Sequence, residues 1–355
     1  MENKKQFRVY IGEPIPNLRP LLILKRHLGL PDYKGKKPFR AVYGAMDFDF
    51  LALEDDPAKA DFFLLPHSFS VGMSRNTAYV SHLSALAGTH GKKLVIFAEG
   101  DSTTPIVVPH ALVFRTSQYA YNKRQNEIIM PPQVYAEDVL DEAAFTTRPK
   151  GEKPVVSFCG WSALGTVREK AKFFARNAYA DFRTHVLRDP HAAVKKQGIY
   201  FRQKAIVALK QSSLVETSFI ERDFFSVNKH TIKLPREVLR AEYLKNIQDS
   251  DFVLAPKGDG NFSIRFYEAL ALGRIPVLID TDCVLPAENE IDYAASVVRV
   301  PHGDLAHADR HIADFYNRFG AEGYREAQKK ARVLFADKLR LDRFLLRALI
   351  KLCES

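Results

Sequence analysis

Short apolar runs that alternate with helix-length segments, first over residues 7–114 and again over 155–300, constrain this chain more than any other feature. In the first stretch, strands are expected at 7–11, 61–65, 93–97 and 112–114, with a helix over 75–90 that sets Leu83, Leu86 and Ala87 on one face. In the second, strands are expected at 155–158, 252–254, 276–279 and 296–300, with helices over 167–187 and 264–272. A further helical pattern runs over 322–352, where Leu334, Leu341, Leu345 and Leu349 recur at helical spacing. Most of the strand runs are continuously apolar rather than alternating, which is how a strand covered on both faces reads. The pattern therefore predicts the α/β class with parallel sheets. It occurs twice, and the polar segment 146–154, with two prolines and a glycine, reads as the linker between the two halves. The expected division is 1–150 and 151–330, with 331–355 as a carboxyl-terminal helix. In such sheets ligands lie beyond the carboxyl ends of the strands, and two facing domains would share a cleft there.

The charge balance is +10, with 52 basic against 42 acidic residues. A surplus of that size fits an anionic ligand, a membrane surface or nucleic acid. Its halves are unequal, +3 over 1–150 and +7 over 151–355. Basic runs such as 34–37, 195–196 and 329–332 have no interleaved aromatics and no nucleic-acid module, so no nucleic-acid partner is expected. Three scattered cysteines exclude a disulfide framework. The opening MENKKQFRVYIGEPIP lacks the apolar core of a signal peptide, and no window reaches about 18 uninterrupted apolar residues, so a cytoplasmic chain without a membrane span is expected. Peripheral membrane contact stays open.

The stretch 251–280 carries the chemistry. It reads as strand, glycine-bearing loop, helix, glycine stop and strand. Gly258 and Gly260 allow close backbone approach to a ligand. Asn261 or Ser263 is placed to cap the helix, whose amino terminus favours a phosphate. Lys257 and Arg265 add positive charge. Arg265 and Glu268 are neighbours on one helix face, so Arg265 is expected to pair with phosphate oxygens and Glu268 to accept ribose hydroxyls. The plainer alternative is an ordinary connection with an ion pair on its surface, since this is neither a Walker loop nor a GxGxxG fingerprint.

The same residues resemble the carboxyl-terminal signature of the exostosin family, the inverting glycosyltransferases of family 47. The matching positions are Pro256, Gly258, Asp259, Ser263, Arg265, Glu268, Ala269, Leu270, Gly273, Ile275, Pro276, Val277 and Ile279, with Leu285-Pro286 and Ile291-Asp292-Tyr293 downstream. Weaker likenesses are the run 60–66, the acidic loop after 93–97, and Val156-Ser-Phe-Cys-Gly160 followed by Arg168. Arg274 departs from the family, standing where a small residue is common. The resemblance implies a soluble microbial or viral-type member with GT-B architecture, two facing Rossmann-like domains, with donor bound by the second and acceptor by the first. The terminal helix would then pack back on the first domain. It further implies metal-independent, inverting transfer from a nucleoside diphosphate sugar, most readily a UDP-sugar, to a saccharide or glycan, with no cofactor.

An inverting transfer needs a base for the acceptor hydroxyl and positive charge on the departing diphosphate. The base candidates at strand ends of the first domain are Asp101, which best matches the family's acidic loop, then Glu99 and His67. Each has a plainer role open, Asp101 as a turn cap and His67 as a packing histidine. Donor candidates beyond 257–268 are Gly160, Trp161 and Arg168, after the first strand of the second domain, and Arg115, for which a structural ion pair is the favoured alternative. The triplets Asp249-Ser-Asp251 and Asp280-Thr-Asp282 allow a metal–diphosphate reading, but the neighbouring signature accounts for the site without one. Two other functions remain: a GDP-fucose-dependent fucosyltransferase, or a non-catalytic nucleotide-sugar-binding relic that serves as an assembly partner.

Overall fold

The computed structural model describes residues 6–29, 44–134, 139, 145–224 and 234–354. The basic run at 34–37 lies outside the described residues. The chain divides into two units. One comprises Met1–Asp141, Val284–Ile291 and Ala336–Ser355; the other comprises Glu142–Cys283 and Asp292–Phe335. The units are thus not two consecutive stretches of chain. Among the described residues no helix is long and apolar enough to cross a membrane.

The first unit is built on β1 (Phe7–Tyr10), β2 (Leu51–Leu53), β3 (Phe62–Leu64), α1 (Thr77–Thr89), β4 (Leu94–Ala98), β5 (Ala111–Arg115) and β6 (Glu127–Ile129). Its six strands run parallel in the order β2-β1-β3-β4-β5-β6. The second unit contains β7 (Val155–Trp161), α2 (Val167–His185), α3 (Gly198–Lys210), β8 (Glu216–Arg222), α4 (Arg236–Gln248), β9 (Phe252–Ala255), α5 (Ile264–Ala271), β10 (Ile275–Asp280), β11 (Val298–Pro301), α6 (Ala308–Asn317) and α7 (Ala321–Leu334). Its five strands are also parallel, in the order β11-β10-β9-β7-β8. Helix α8 (Leu341–Glu354) returns to the first unit. Both sheets therefore follow the doubly wound 2-1-3-4-5 plan, the first with an added edge strand. The α/β class expected from the sequence is what the chain adopts.

The continuous apolar runs have a direct cause. In β3 and its neighbours alternate residues point to opposite faces. Phe7, Phe62, Leu64, Val95, Phe97 and Phe114 enter one core with Leu341, Phe344, Leu345 and Leu349 of α8. Phe63, Leu65, Leu94, Ile96 and Val113 enter a second core with Val80, Leu83 and Ala87 of α1. Both faces are covered, so no polar alternation is left. In the second unit the Phe252 ring packs against Phe315, Tyr316 and Tyr324 of α6 and α7, at 5.9, 5.9 and 6.5 Å.

Two expectations about chain organisation change. The helical pattern at 322–352 is not one helix: α7 and α8 are separated by a π-helical turn at Phe335–Leu339. The wider turn buries both Phe335 and Leu339. The start of α8 is then fixed by Asp342, which takes both Nε and Nη2 of Arg340 at 2.7 Å and the Asp47 amide at 2.9 Å. The polar segment 146–154 is docked rather than loose. Arg148 pairs with Asp251 at 3.2 Å, Gln328 donates to the Arg148 carbonyl at 2.9 Å, and the Gly151 amide donates to the Tyr316 hydroxyl at 2.8 Å.

Candidate functional site

In a 2-1-3-4-5 sheet, connections leave the central pair of strands in opposite directions and open a crevice beyond their carboxyl ends. In the second unit that point lies after β7 and β9. It is the place that Gly160, Trp161 and the loop Lys257–Gly260 occupy in the sequence, and two arginines from different helices converge there.

Arg265, on the first turn of α5, donates from Nη2 to the Cys159 carbonyl at 3.0 Å. Its guanidinium lies 4.7 Å from the Phe158 ring centre and 5.7 Å from that of Tyr243. Gly160 permits this approach: a Cβ there would lie 3.1 Å from Arg265 Nη2, and the glycine φ of +153° disfavours any side chain. Arg202, on α3, donates from Nη1 to the Trp161 carbonyl and lies 5.6 Å from the same Phe158 ring. The Nε atoms of both arginines are buried without a hydrogen-bond partner. Burial, with the Arg265 charge beside it, pulls the Arg202 guanidinium down from 12.5 to about 9, against a smaller opposing pull from Asp259. Among the described residues neither arginine forms an ion pair. Two like charges held together, with donors unspent, make a site complementary to an anion.

The loop after β9 is held firmly. The Gly258 amide donates to the Phe262 carbonyl at 3.0 Å. A Cβ at Gly198, the first residue of α3, would come within 2.2 Å of the Lys257 carbonyl oxygen and 2.5 Å of that of Gly258. Asn261 does not cap α5. Its amide donates to the carbonyls of Thr281 and Asp282 at 3.3 and 3.2 Å, and its oxygen accepts from the Thr281 hydroxyl at 2.6 Å. Ser263 stands at the N-cap of α5 without a side-chain capping bond. Asp259 is exposed and Gly260 buried at the loop's tip.

Two sequence-derived roles change in the structure. Lys257 is buried and its ammonium donates to the Val194 carbonyl at 2.6 Å; desolvation brings it down to about 8. It supports the loop from beneath rather than lining it. Glu268 does not pair with Arg265 one turn away. It accepts from Arg240 Nη1 at 2.8 Å and from the Tyr243 hydroxyl at 2.5 Å, both on α4. Spare lone pairs remain on a carboxylate so bound. Arg168 is exposed on the first turn of α2. Trp161 is half-buried and donates from its indole to the Ala163 carbonyl at 2.8 Å.

The aspartate triplets have structural partners. Asp251 accepts the Val155 amide at 2.9 Å as well as the Arg148 ion pair, and Asp249 pairs with Lys245 at 2.7 Å. Asp280 pairs with Arg299 at 3.2 Å. Among the described residues no group of three or more His, Cys, Asp or Glu is placed to hold a metal ion. Arg274, the departure from the family pattern, is a fully buried clamp that donates to the carbonyls of Gln248 and Thr146, each at 2.8 Å.

In the first unit the candidates sit at the ends of adjacent strands. His67 is buried with both ring nitrogens engaged: Nε2 accepts the Ile15 amide at 2.8 Å, which leaves Nδ1 to donate to the Arg19 carbonyl at 2.8 Å. It is a packing histidine. Glu99 is half-buried at the end of β4 and accepts from the Gln133 side-chain amide; burial pushes its carboxyl up. Asp101 is exposed, beyond Gly100, whose φ is +116° and whose amide and carbonyl are both held by the Thr116 hydroxyl. Arg115 is 1% exposed and ion-paired with Glu127; it donates to the carbonyls of Ser117 at 2.9 Å and Ser102 at 2.7 Å. Its donors thus staple the loop that carries the acidic candidates, and it is not a ligand-facing arginine.

Arg202 escaped the sequence reading. No motif marks it; the only signal is its place beside Gly198, on the helix that the 257–258 loop abuts.

Residues 180–313 match the Exostosin GT47 domain. A 63-residue stretch, 18% of this chain, is 43% identical to Exostosin-1 of Drosophila melanogaster, of which it spans 8%. Among solved structures, TarM aligns with a TM-score of 0.31 at 11% identity, over 74% of this chain and 55% of that one. WaaG, a glycosyltransferase involved in lipopolysaccharide biosynthesis, aligns with a TM-score of 0.35 at 9% identity, over 96% and 99%. Both superpositions are loose.

Proposed function

We propose, from the match of residues 180–313 to the Exostosin GT47 domain, that the protein is an inverting glycosyltransferase that moves a sugar from a UDP-sugar to a saccharide acceptor. The observation that carries the reading is the arginine pair. Arg202 and Arg265 meet at the carboxyl end of β7, beside the amino terminus of α5, and both lie within the matched residues 180–313. Two cations with unspent buried Nε donors and the positive end of a helix suit a diphosphate. The doubly wound order of both sheets supports the GT-B assignment.

In this mechanism the glycosidic bond to the donor breaks as charge builds on the departing diphosphate. The arginines and the α5 amides stabilise that charge, so the transfer requires no metal. Trp161 and the loop at Gly258–Gly260 border the nucleotide. The acceptor hydroxyl attacks the anomeric carbon from the opposite face while a base takes its proton. Glu99 suits that role better than Asp101. Its raised carboxyl is closer to a working proton affinity at neutral pH, and Gln133 and the Arg115 staple hold it.

Calorimetric titration of UDP, GDP and their sugars tests the proposal. UDP binding that is lost in Arg265→Ala supports it. Preference for GDP redirects it to a fucosyltransferase. Nucleotide binding without any transfer leaves the relic, and failure of every nucleotide to bind refutes the proposal. Glu99→Gln is expected to abolish transfer while leaving UDP binding intact. Full turnover in that variant removes Glu99 from the role, with Asp101→Asn as the parallel test. Transfer that persists in excess chelator supports the arginine-based departure, and complete loss refutes it.

A further inference from the structure

Helix α2 is almost detached from the core of its unit: among its residues only Asn177 is buried. Its inward row is Phe173, Asn177, Ala180 and Thr184, the spacing of one helix face. Phe173 meets the Tyr200 ring at 6.4 Å, and Asp181 pairs with Lys196 at 2.5 Å. The outward face is largely apolar, with Arg168 and His185 as its polar members. Val167, Phe174 and Phe182 share it with Ala171 and Ala178, and Val186 and Tyr179 extend it. Val167 is 83% exposed, Phe174 70% and Val186 62%, with Phe182 and Tyr179 also exposed. An ordinary surface helix would bury such a stripe.

The charges around it are one-sided. Residues 167–189 carry Arg168, Lys170, Lys172, Arg176, Arg183 and Arg188 against Glu169, Asp181 and Asp189, the last paired with Arg183. At 100° per residue, Lys172, Arg176 and Arg183 fall along one margin of the apolar stripe. Beside that margin is a depression of about 210 Å³ bordered by Arg176, Tyr179, Arg183, Lys195 and Lys196. An exposed apolar stripe with a basic margin is the form of a helix that lies in a bilayer interface, its aromatics among the acyl chains and its cations at the headgroup phosphates.

We infer that α2 docks the protein on an anionic lipid bilayer, Phe174 and Phe182 inserting and Lys172 and Arg176 reading the phosphate surface. This holds whether or not the nucleotide site is assigned correctly, because α2 shares none of the arginine-pair residues.

Co-sedimentation of the full chain with phosphatidylcholine vesicles, with and without phosphatidylglycerol, tests it. Binding is expected only with phosphatidylglycerol and is expected to weaken at high salt. The double variant Phe174→Ser, Phe182→Ser removes exposed groups only; it is expected to lower partitioning roughly tenfold or more with an unchanged melting temperature. Lys172→Glu with Arg176→Glu should remove the preference for phosphatidylglycerol. Equal binding to both vesicles, or undiminished binding of the phenylalanine variant, overturns the inference. So does a self-association, seen by sedimentation velocity without vesicle binding, that the phenylalanine variant abolishes.

Discussion

Replacing Arg202 by methionine should make the protein more stable and worse at its task. The guanidinium is held at about 9 against an ordinary 12.5. At about 1.4 kcal/mol per unit that is a ceiling of roughly 5 kcal/mol against folding with the charge in place, and halving it for partial solvent contact leaves roughly 2 kcal/mol. Methionine keeps much of the volume against Phe158 but loses the bond to the Trp161 carbonyl, which is worth about 1 kcal/mol. The net is a gain of about 1 kcal/mol without ligand, or about 2–4 °C in melting temperature for a chain with units of this size. With UDP present the sign reverses. A charge-assisted bond to phosphate contributes about 1.5–3 kcal/mol, so affinity should fall roughly 10- to 100-fold. Scanning fluorimetry without ligand and calorimetric titration with UDP measure the two halves separately. A lower melting temperature with unchanged UDP affinity would refute the reasoning and make Arg202 an ordinary structural arginine.

Three further outcomes follow from the same contacts. Arg115→Met should cost about 3–5 kcal/mol, because it leaves the buried Glu127 carboxylate without its cationic partner, with only the Gln118 and Arg124 amides still donating to it; a denaturant midpoint near wild type would mean that the ion pair does not hold the acidic loop. Gly198→Ala should loosen the loop after β9, since the new methyl would sit 2.2 Å from the Lys257 carbonyl oxygen; UDP affinity is expected to drop with the melting temperature, and a silent substitution would show the loop to be free of α3. Lys257 lies at about 8 when folded against an ordinary 10.5, so between these values the unfolded chain holds more protons and stability rises with pH. Lys257→Met should flatten that rise in urea midpoints taken from about pH 8 to about pH 10, and an unchanged slope would assign the rise elsewhere.

The sheets were legible where apolar runs were unbroken, because strands covered on both faces leave no polar positions. Edge strand β8, Glu-Thr-Ser-Phe-Ile-Glu-Arg, was not, since it borders only β7 and carries polar residues along its length. The break between α7 and α8 was hidden for a related reason: a π-helical turn keeps the leucine spacing nearly helical while inserting a residue. At the site, residue identity was readable but side-chain direction was not. Arg265 and Glu268 are one turn apart in any helix; that Glu268 turns to Arg240 and Tyr243 depends on α4, whose sequence carries no motif.

That redirection bears on how the site works. Had Glu268 paired with Arg265, the carboxylate would have cancelled the charge that a diphosphate needs. Instead Arg240 and Tyr243 occupy Glu268, and Arg265 is left against the Phe158 ring and the Cys159 carbonyl with Arg202 as its cationic neighbour. The fold thus separates a carboxylate from a cation that the helix would otherwise join. On the proposed reading, the separation leaves both cations available to an anion at the carboxyl end of β7. Breaking it should therefore act at a distance: Arg240→Met, which frees Glu268 to reach Arg265, is expected to weaken UDP binding without touching the nucleotide. Restoring binding with Glu268→Gln in the same chain would tie the loss to that carboxylate, and failure to restore it would refute the link.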